Sequence, residues 1–274
     1  MSTIDTPDTP KGWLESVVQK HLAKNARGYN YIVCDGYAFH SPALGLKMDL
    51  KPAEGKVVDE SDEFLLVKTS RTCFFVCVKT ILELIPEIGS TVRITPYARR
   101  DFDGKRLDAP KEGITDGIKF LTYKLGGNIS QLPIEKTALK SQYLRDMIEQ
   151  VEVLPAGDGI RTLAQVLVDA GATDELVTYD DPEDEHVFDM PPTLQFRIKT
   201  EKHDGYLNII YDRACDYYLI QLVDANRQDV VKSLDHVDFM ELAERIIELV
   251  DDKKWRIAKV EILKEPGQKH QVAA

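Results

Sequence analysis

The 274 residues, 43% of them apolar, exclude a disordered chain, because this is enough apolar side chain to bury a core. With 46 acidic and 35 basic residues, the net charge of -11 excludes generic binding of the whole surface to nucleic acid or to an anionic membrane. Any such binding has to use a local basic patch.

The four cysteines indicate a reducing compartment. Cys34, Cys73 and Cys77 lie in apolar, strand-like runs, where a thiol behaves as a small core hydrophobe. The longest apolar runs are far shorter than the roughly 20 residues that span a bilayer. We therefore expect a cytoplasmic protein without a disulfide framework and without a membrane partner.

The first part of the chain predicts a disordered tail, a helix and a small barrel. Residues 1–12 are polar, and apolar side chains recur at helical spacing over residues 13–25. Residues 29–94 form short runs of Val, Ile, Phe and Tyr broken by Gly and Pro, and strands of this length bury both faces by curling. We predict a helix plus β-barrel domain, OB-like or SH3-like, over residues 13–124.

The middle of the chain predicts a short helical connector over residues 125–173. It follows a charged, loop-like stretch at 98–117 and a short strand at 119–124. Two apolar stripes at helical spacing then indicate two helices, which carry Leu139, Tyr143, Leu144, Met147, Ile148 and Val151, and Ile160, Leu163, Val166 and Leu167.

The last part predicts an acidic linker and a separate α+β domain. Eight carboxylates and no Lys or Arg lie between Asp174 and Asp189, so we expect residues 174–192 not to pack. Three alternating runs, an amphipathic stripe and a final apolar run then predict a β-β-β-α-β module over residues 193–266, followed by a tail at 267–274. The predicted fold class is α+β.

No familiar catalytic motif is present, so we expect no enzyme, no metal and no cofactor. Cys34, Asp35, His40 and Ser41 could form a nucleophile set, but a core thiol beside a surface histidine explains them better, so we set the nucleophile set aside. Cys73 and Cys77 lie four residues apart on one strand, about 13 Å along it, which is too far for one metal ion to bridge.

A basic and aromatic segment is the first candidate binding surface. Between positions 93 and 106, five cationic residues and two acidic ones give a net charge of +3. Single-strand binders interleave cations that contact phosphates with rings that stack bases. The alternative is a charged hairpin loop, because Asp103-Gly104 is a turn signal. The residues of this segment are Arg93, Tyr97, Arg99, Arg100, Phe102, Lys105 and Arg106.

The acidic stretch is the second candidate surface. A solvated linker, an arm that docks on a basic surface, and a calcium site are its three interpretations, and the stretch lacks the turn glycine of a calcium loop. The residues of this acidic segment are Asp180, Asp181, Glu183, Asp184 and Glu185.

Residues 55–97 resemble the KfrB-type domain of conjugative-plasmid accessory proteins. The resemblance rests on a strand-strand-turn-Pro-x-x-Gly-strand pattern that includes Gly55, Val57, Val58, Phe64 to Val67, Cys73 to Val78, Leu84, Pro86, Gly89, Val92, Ile94 and Tyr97. It implies a mobile-element setting and a role in binding rather than in catalysis.

Three functional hypotheses follow. The first is a non-catalytic binding or adaptor protein of a plasmid or phage-like element, which contacts a protein partner through its barrel or its α+β module. The second is binding of single-stranded nucleic acid by residues 93–106. In the third, the acidic surface mimics nucleic acid and inhibits a basic enzyme of the host, as anti-defence proteins do.

Overall fold

The structure, a computed structural model, describes residues 9–36, 39–41, 46–115, 117–122 and 129–267. Most of the two predicted tails, residues 1–8 and 268–274, lies outside the described residues. The chain is a mixed, sheet-rich α+β protein that divides into two compact units. The first unit comprises Met1–Phe39, Asp49–Ala98 and Arg256–Ala274, and the second comprises His40–Met48 and Arg99–Trp255.

The described residues contain four short α-helices and fifteen strands. The helices are α1 (Pro10–Val17), α2 (Gln142–Val153), α3 (Leu163–Asp169) and α4 (Phe239–Val250). The strands are β1 (Asn30–Cys34), β2 (Phe39–Ser41), β3 (Leu46–Met48), β4 (Ala53–Glu60), β5 (Phe64–Lys68), β6 (Cys73–Val78), β7 (Thr91–Thr95), β8 (Lys111–Thr115), β9 (Ile118–Thr122), β10 (Val177–Asp180), β11 (Thr193–Lys199), β12 (Asp204–Asp212), β13 (Tyr217–Asp224), β14 (Val230–Val237) and β15 (Lys259–Lys264). Single 3-10 turns occupy Val18–Lys20, Lys79–Ile81, Lys136–Ala138, Asp174–Leu176 and Lys254–Arg256.

Helix α1 begins earlier and ends earlier than the predicted helix over residues 13–25. Its start is set by Thr9, whose hydroxyl accepts a hydrogen bond from the Gly12 N–H at 3.1 Å, and by Pro10 in the first turn. The 3-10 turn over Val18–Lys20 then closes the helical segment. Within the described part of the chain, no helix combines the length and the apolar character needed to cross a membrane.

The first unit contains an open six-stranded sheet in the order β1-β6-β5-β4-β7-β15. β1 runs parallel to β6, and the other neighbouring strands are antiparallel. Since β1 and β15 lie at opposite edges, the described strands form no closed barrel. The predicted OB-like or SH3-like barrel is therefore wrong.

The barrel prediction failed because a helix covers the second face of the sheet. Trp13, Leu14 and other residues of the N-terminal helical segment pack against Phe64 and Phe74. The alternate residues of the same strands, such as Leu65, face a separate core on the other side. Both faces are thus buried without curling into a closed cylinder, and β15 covers what would otherwise be the free edge of β7.

The second unit contains a five-stranded antiparallel sheet, and helices α2, α3 and α4 pack against it to form one core. β10 to β14 lie side by side in chain order. Leu194, Phe196 and Ile198 alternate into the core, as their spacing predicts, and share it with the apolar stripes of α2, α3 and α4. The predicted helical middle is therefore not a separate layer, because its stripes are buried in the same core as this sheet.

The predicted β-β-β-α-β module is also wrong. Its sheet contains two further strands, β10 and β14, and its final predicted strand pairs elsewhere. Residues 259–264 form β15, which pairs with β7 in the sheet of the first unit. Apolar patterning identified this segment as a strand, but the choice of partner strand depends on contacts that are remote in sequence.

Candidate binding surfaces

The basic and aromatic segment is divided between the two units. Arg93 lies in β7 and Tyr97 follows in the first unit, whereas Arg99 to Arg106 belong to the second unit. Arg93 forms ion pairs with Glu54 at 2.7 Å and with Glu261 at 3.0 Å. Its charge is therefore matched by two carboxylates of the same sheet.

The phenylalanine of this segment is buried rather than exposed. Phe102 is 4% exposed and packs in the core of the second unit. Arg99 is also buried, and Tyr97 is partly buried. Because a base stacks on an exposed ring, Phe102 does not offer a stacking platform in this structure.

Three further cations of the segment contact acceptors close to them in sequence. Arg100 donates a hydrogen bond to a backbone carbonyl of the same loop at 2.7 Å, and Lys105 pairs with Asp103 at 2.8 Å. Arg106 contacts the carboxylate of Asp108 through two hydrogen bonds, at 2.8 and 2.9 Å. These contacts favour the interpretation as a charged loop, because local carboxylates offset part of the positive charge.

The acidic segment is folded against the start of helix α2. The two carboxylate oxygens of Asp181 accept hydrogen bonds from the backbone N–H groups of Lys140 and Ser141, each at 2.9 Å. Asp184 accepts from the Ser141 hydroxyl and from the Gln142 N–H, both at 3.1 Å. Since the first N–H groups of a helix have no acceptor within it, the acidic segment supplies acceptors that the helix lacks.

This segment is not the unpacked linker that its composition predicts. Asp180 ends strand β10, and Pro182 and Val187 are buried. Composition misleads here because carboxylates, although they do not form an apolar core, bind the positive end of a helix well. Glu183 and Glu185 are exposed, and Glu183 forms an ion pair with Lys140 at 3.0 Å.

A buried arginine joins three carboxylates in the second unit. Arg161, whose side chain is 2% exposed, contacts Asp158 at 2.7 Å, Asp169 at 3.0 Å and Asp251 at 2.6 Å. Its guanidinium also lies over the ring of Trp255, 3.9 Å from the ring centroid. The cluster links the loop before α3, the end of α3 and the end of α4, so its geometry indicates a structural role.

The hydrogen bonds of this cluster lower the pKa of Asp158. Burial of the carboxyl opposes its ionisation, but the backbone and side chain of Arg161 and the N–H of Ile160 donate hydrogen bonds that outweigh burial. Both N–H groups lie 2.8 Å from the same oxygen. Several hydrogen bonds donated to a carboxylate favour its charged form and so lower its pKa.

The β8–β9 hairpin, residues 111–115 and 118–122, is an exposed apolar surface that the sequence analysis missed. Each strand pairs only with the other among the described strands. Four large apolar side chains are exposed: Ile114 (68%), Ile118 (71%), Phe120 (45%) and Leu121 (53%). Three of them, Ile114, Phe120 and Leu121, line a shallow groove of about 570 Å³. Exposed apolar residues gathered in this way mark interaction sites.

Each face of the hairpin carries two of the four exposed apolar side chains. Phe120 lies opposite Gly113, and Ile118 lies opposite Thr115, so these pairs share one face. On the other face Leu121 lies opposite Glu112, and Ile114 lies opposite Lys119. The Phe120 ring lies so close to the glycine that a Cβ there would be 2.3 Å from the ring. Neither face resembles the fully polar surface of a solvated hairpin.

A turn signal could have revealed this hairpin. The dipeptide at positions 116 and 117 is Asp-Gly, the sequence that favours a two-residue hairpin turn, and Gly117 has a φ of 78°. Charged residues nearby led instead to a loop-like interpretation of residues 98–117. The strand expected at 119–124 is β9, which spans Ile118–Thr122, and positions 123 and 124 lie outside the described residues.

No family model, no curated protein and no solved structure matches the chain. The resemblance of residues 55–97 to KfrB-type domains stays a prediction.

Proposed function

We propose that the protein is a non-catalytic binding protein of a plasmid or phage-like element, and that its β8–β9 hairpin docks on a protein partner. The observation that carries this proposal is the exposure of four large apolar side chains on a two-stranded hairpin. The mobile-element setting rests on the KfrB-like pattern of residues 55–97 alone.

Hairpin stability supports a docking role. A two-stranded hairpin by itself is marginally stable in water, and three or more strands or a packed face are needed for independent stability. Each hairpin strand has one edge that is unpaired among the described strands. A partner that adds a strand to this edge would pair its backbone groups. If the partner also covers the apolar side chains, it would supply the packed face that the hairpin lacks.

The expected partner surface is an apolar groove on a protein. Burying the exposed parts of Ile114 and Ile118 would contribute about 1 to 2 kcal/mol each. The hairpin offers no cluster of cations for phosphate, and the net charge of -11 opposes approach to nucleic acid or to anionic lipid. Protein is therefore favoured over both.

The other two hypotheses have less support. Nucleic-acid binding by residues 93–106 would need an exposed ring for base stacking, but Phe102 is buried in the core. Arg93, Lys105 and Arg106 are also paired with carboxylates. The inhibitor hypothesis retains the acidic net charge and the exposed Glu185, whereas Glu183 pairs with Lys140. Asp181 and Asp184 contact the start of α2 instead.

Site-specific photo-cross-linking in the native host tests the proposal. A photoreactive amino acid replaces Ile118, or Met240 as a matched control, since Met240 on α4 is 73% exposed. The partner cross-linked through position 118 is then purified and titrated with the full-length protein. The double variant Ile114→Ser/Ile118→Ser should weaken binding by a factor of about 100, whereas Met240→Ser should leave it unchanged.

Three results would contradict the proposal. One is equal cross-linking from both positions, and another is unchanged affinity of the double variant for the cross-linked partner. The third is loss, in the same variant, of binding to an oligonucleotide or to anionic phospholipid vesicles, which would show that the hairpin recognises a different class of ligand. Circular dichroism of the variants checks that the fold is retained.

A further inference from the structure

Two cysteines from different strands face each other in the core of the first unit. Cys34 is the last residue of β1, Cys77 lies in β6, and the parallel register places them directly opposite one another. Opposite residues of paired strands project to the same face of a sheet. Both side chains belong to one apolar cluster, at 1% and 0% exposure, and both are free thiols.

The two thiols are in contact. The Cys34 thiol lies within hydrogen-bonding reach of Cys77, and burial, followed by this contact, raises the pKa of Cys77 well above its ordinary value. Neighbouring strands lie about 4.8 Å apart. Disulfides span Cα separations of about 4.4 to 6.8 Å, so the spacing of paired strands falls within the range that a disulfide bridges.

The other two cysteines have no comparable position. Cys73 lies four residues before Cys77 on the same strand, about 13 Å away along it. Cys215 is exposed and belongs to the second unit. No group of three His, Cys, Asp or Glu residues gathers as metal ligands in the described part of the chain, so two sulfurs alone would have to hold an ion.

We propose that Cys34 and Cys77 are a modification site, at which a peroxide converts the two thiols to an intramolecular disulfide. One thiolate attacks the peroxide, its O–O bond breaks, and a sulfenic acid and one water form. The second thiol then attacks the sulfenic sulfur and displaces a second water. The two thiols lose two electrons and two protons in total, and hydrogen peroxide accepts them.

The location of the pair sets the expected rate. Burial raises the pKa of the Cys77 thiol, and the thiolate is the reactive form. β1 is an edge strand that pairs on one side only among the described strands, so it opens more readily than the central strands. Oxidation of the pair should therefore be slower than oxidation of the exposed Cys215 thiol, and the resulting bond joins the edge strand to β6.

The test uses full-length protein in which only the facing pair remains. Cys73→Ser/Cys215→Ser protein is treated with hydrogen peroxide under native conditions and digested without reduction. The expected result is a linked peptide pair that contains Cys34 and Cys77, an intact mass lower by two hydrogens, and a higher urea midpoint that dithiothreitol reverses. Adding Cys34→Ser should abolish the linked peptide and the midpoint shift together.

Oxygen addition to single thiols without a linked peptide would overturn the proposal. So would cross-linked dimers in place of the intramolecular bond, or thiols that stay unreacted long after the same peroxide concentration has fully oxidised Cys215 in the wild-type chain. Because the main measurement uses protein that retains both thiols, it does not depend on the folding of the Cys34→Ser variant.

Discussion

Replacing Arg161 by methionine should destabilise the second unit strongly. The substitution retains most of the aliphatic volume but removes the cation that three carboxylates share. Asp158, Asp169 and Asp251 are 20%, 12% and 8% exposed, so water replaces the lost partner poorly. Removing one member of a buried ion pair costs about 3 to 5 kcal/mol, and we expect a loss within this range for Arg161→Met.

Arg245 provides a matched control on helix α4. It also pairs with two carboxylates, Glu241 at 3.2 Å and Glu248 at 3.6 Å, but its side chain is 43% exposed. Exposed helical ion pairs are screened by water and contribute little, so Arg245→Met should lower the urea midpoint far less than Arg161→Met does. The comparison contrasts a buried arginine that pairs with three carboxylates and an exposed arginine that pairs with two.

Urea unfolding monitored by Trp255 fluorescence measures the effect. The chain contains two tryptophans, one in each unit, so a Trp13→Phe background restricts the signal to the second unit. The midpoint should fall for Arg161→Met while the slope stays constant. Equal costs for Arg161→Met and Arg245→Met, or a cost below about 1 kcal/mol for the former, would refute the reasoning about the buried cluster.

Two further predictions concern individual carboxylates. Asp158→Asn should cost about 1 to 3 kcal/mol at pH 7, and its difference from the wild type should shrink as the pH falls below about 4. The sign follows from the lowered folded-state pKa, because the stability that such a carboxyl contributes is present above its unfolded pKa and is lost as the pH falls through its folded pKa. Urea midpoints measured across pH 2.5 to 7, roughly the range in which carboxyls titrate, check this dependence. Asp181→Ala combined with Asp184→Ala should cost about 1 to 3 kcal/mol, since both remove acceptors from the start of α2. Hydrogen exchange of the first-turn amides of α2 should accelerate in that variant.

Each of these predictions has a control. An Asp158→Asn deficit that stays constant across the titration would show that its hydrogen bonds, rather than its charge, account for the loss. For the helix start, the control is the exposed residue Glu185, whose replacement by alanine should leave the unfolding midpoint within about 0.5 kcal/mol of the wild type. If Glu185→Ala lowered the unfolding midpoint as much as the Asp181→Ala/Asp184→Ala variant, the cause would be the loss of negative charge rather than the loss of acceptors at the helix start.

The two candidate surfaces show that the charge of a segment does not predict which of its residues are exposed. Residues 93–106 contain the expected cations, but Phe102 is buried and Arg93 is matched by Glu54 and Glu261 from neighbouring strands. A sequence pattern counts charges along the chain, whereas binding depends on which of them remain unpaired and exposed. The hairpin was missed for the converse reason, because its apolar residues alternate with charged ones in a stretch that looks polar.

The sequence by itself determined which side of most elements is buried. The stripe of α2 and the alternation of Leu194, Phe196 and Ile198 both predict core positions, and both are confirmed by burial. Local periodicity achieves this because a helix and a strand each repeat their orientation within a few residues. The same patterning does not specify which element covers a given face.

Only the tertiary structure decided the long-range partners. β15 pairs with β7, Cys34 faces Cys77, and Asp251 meets Arg161 from ninety positions further along the chain. Such contacts close long loops at an entropic cost, and the packing that offsets this cost comes from many residues rather than from any short segment. The sheet of the first unit stays open because the N-terminal helical segment, rather than further strands, covers one of its faces.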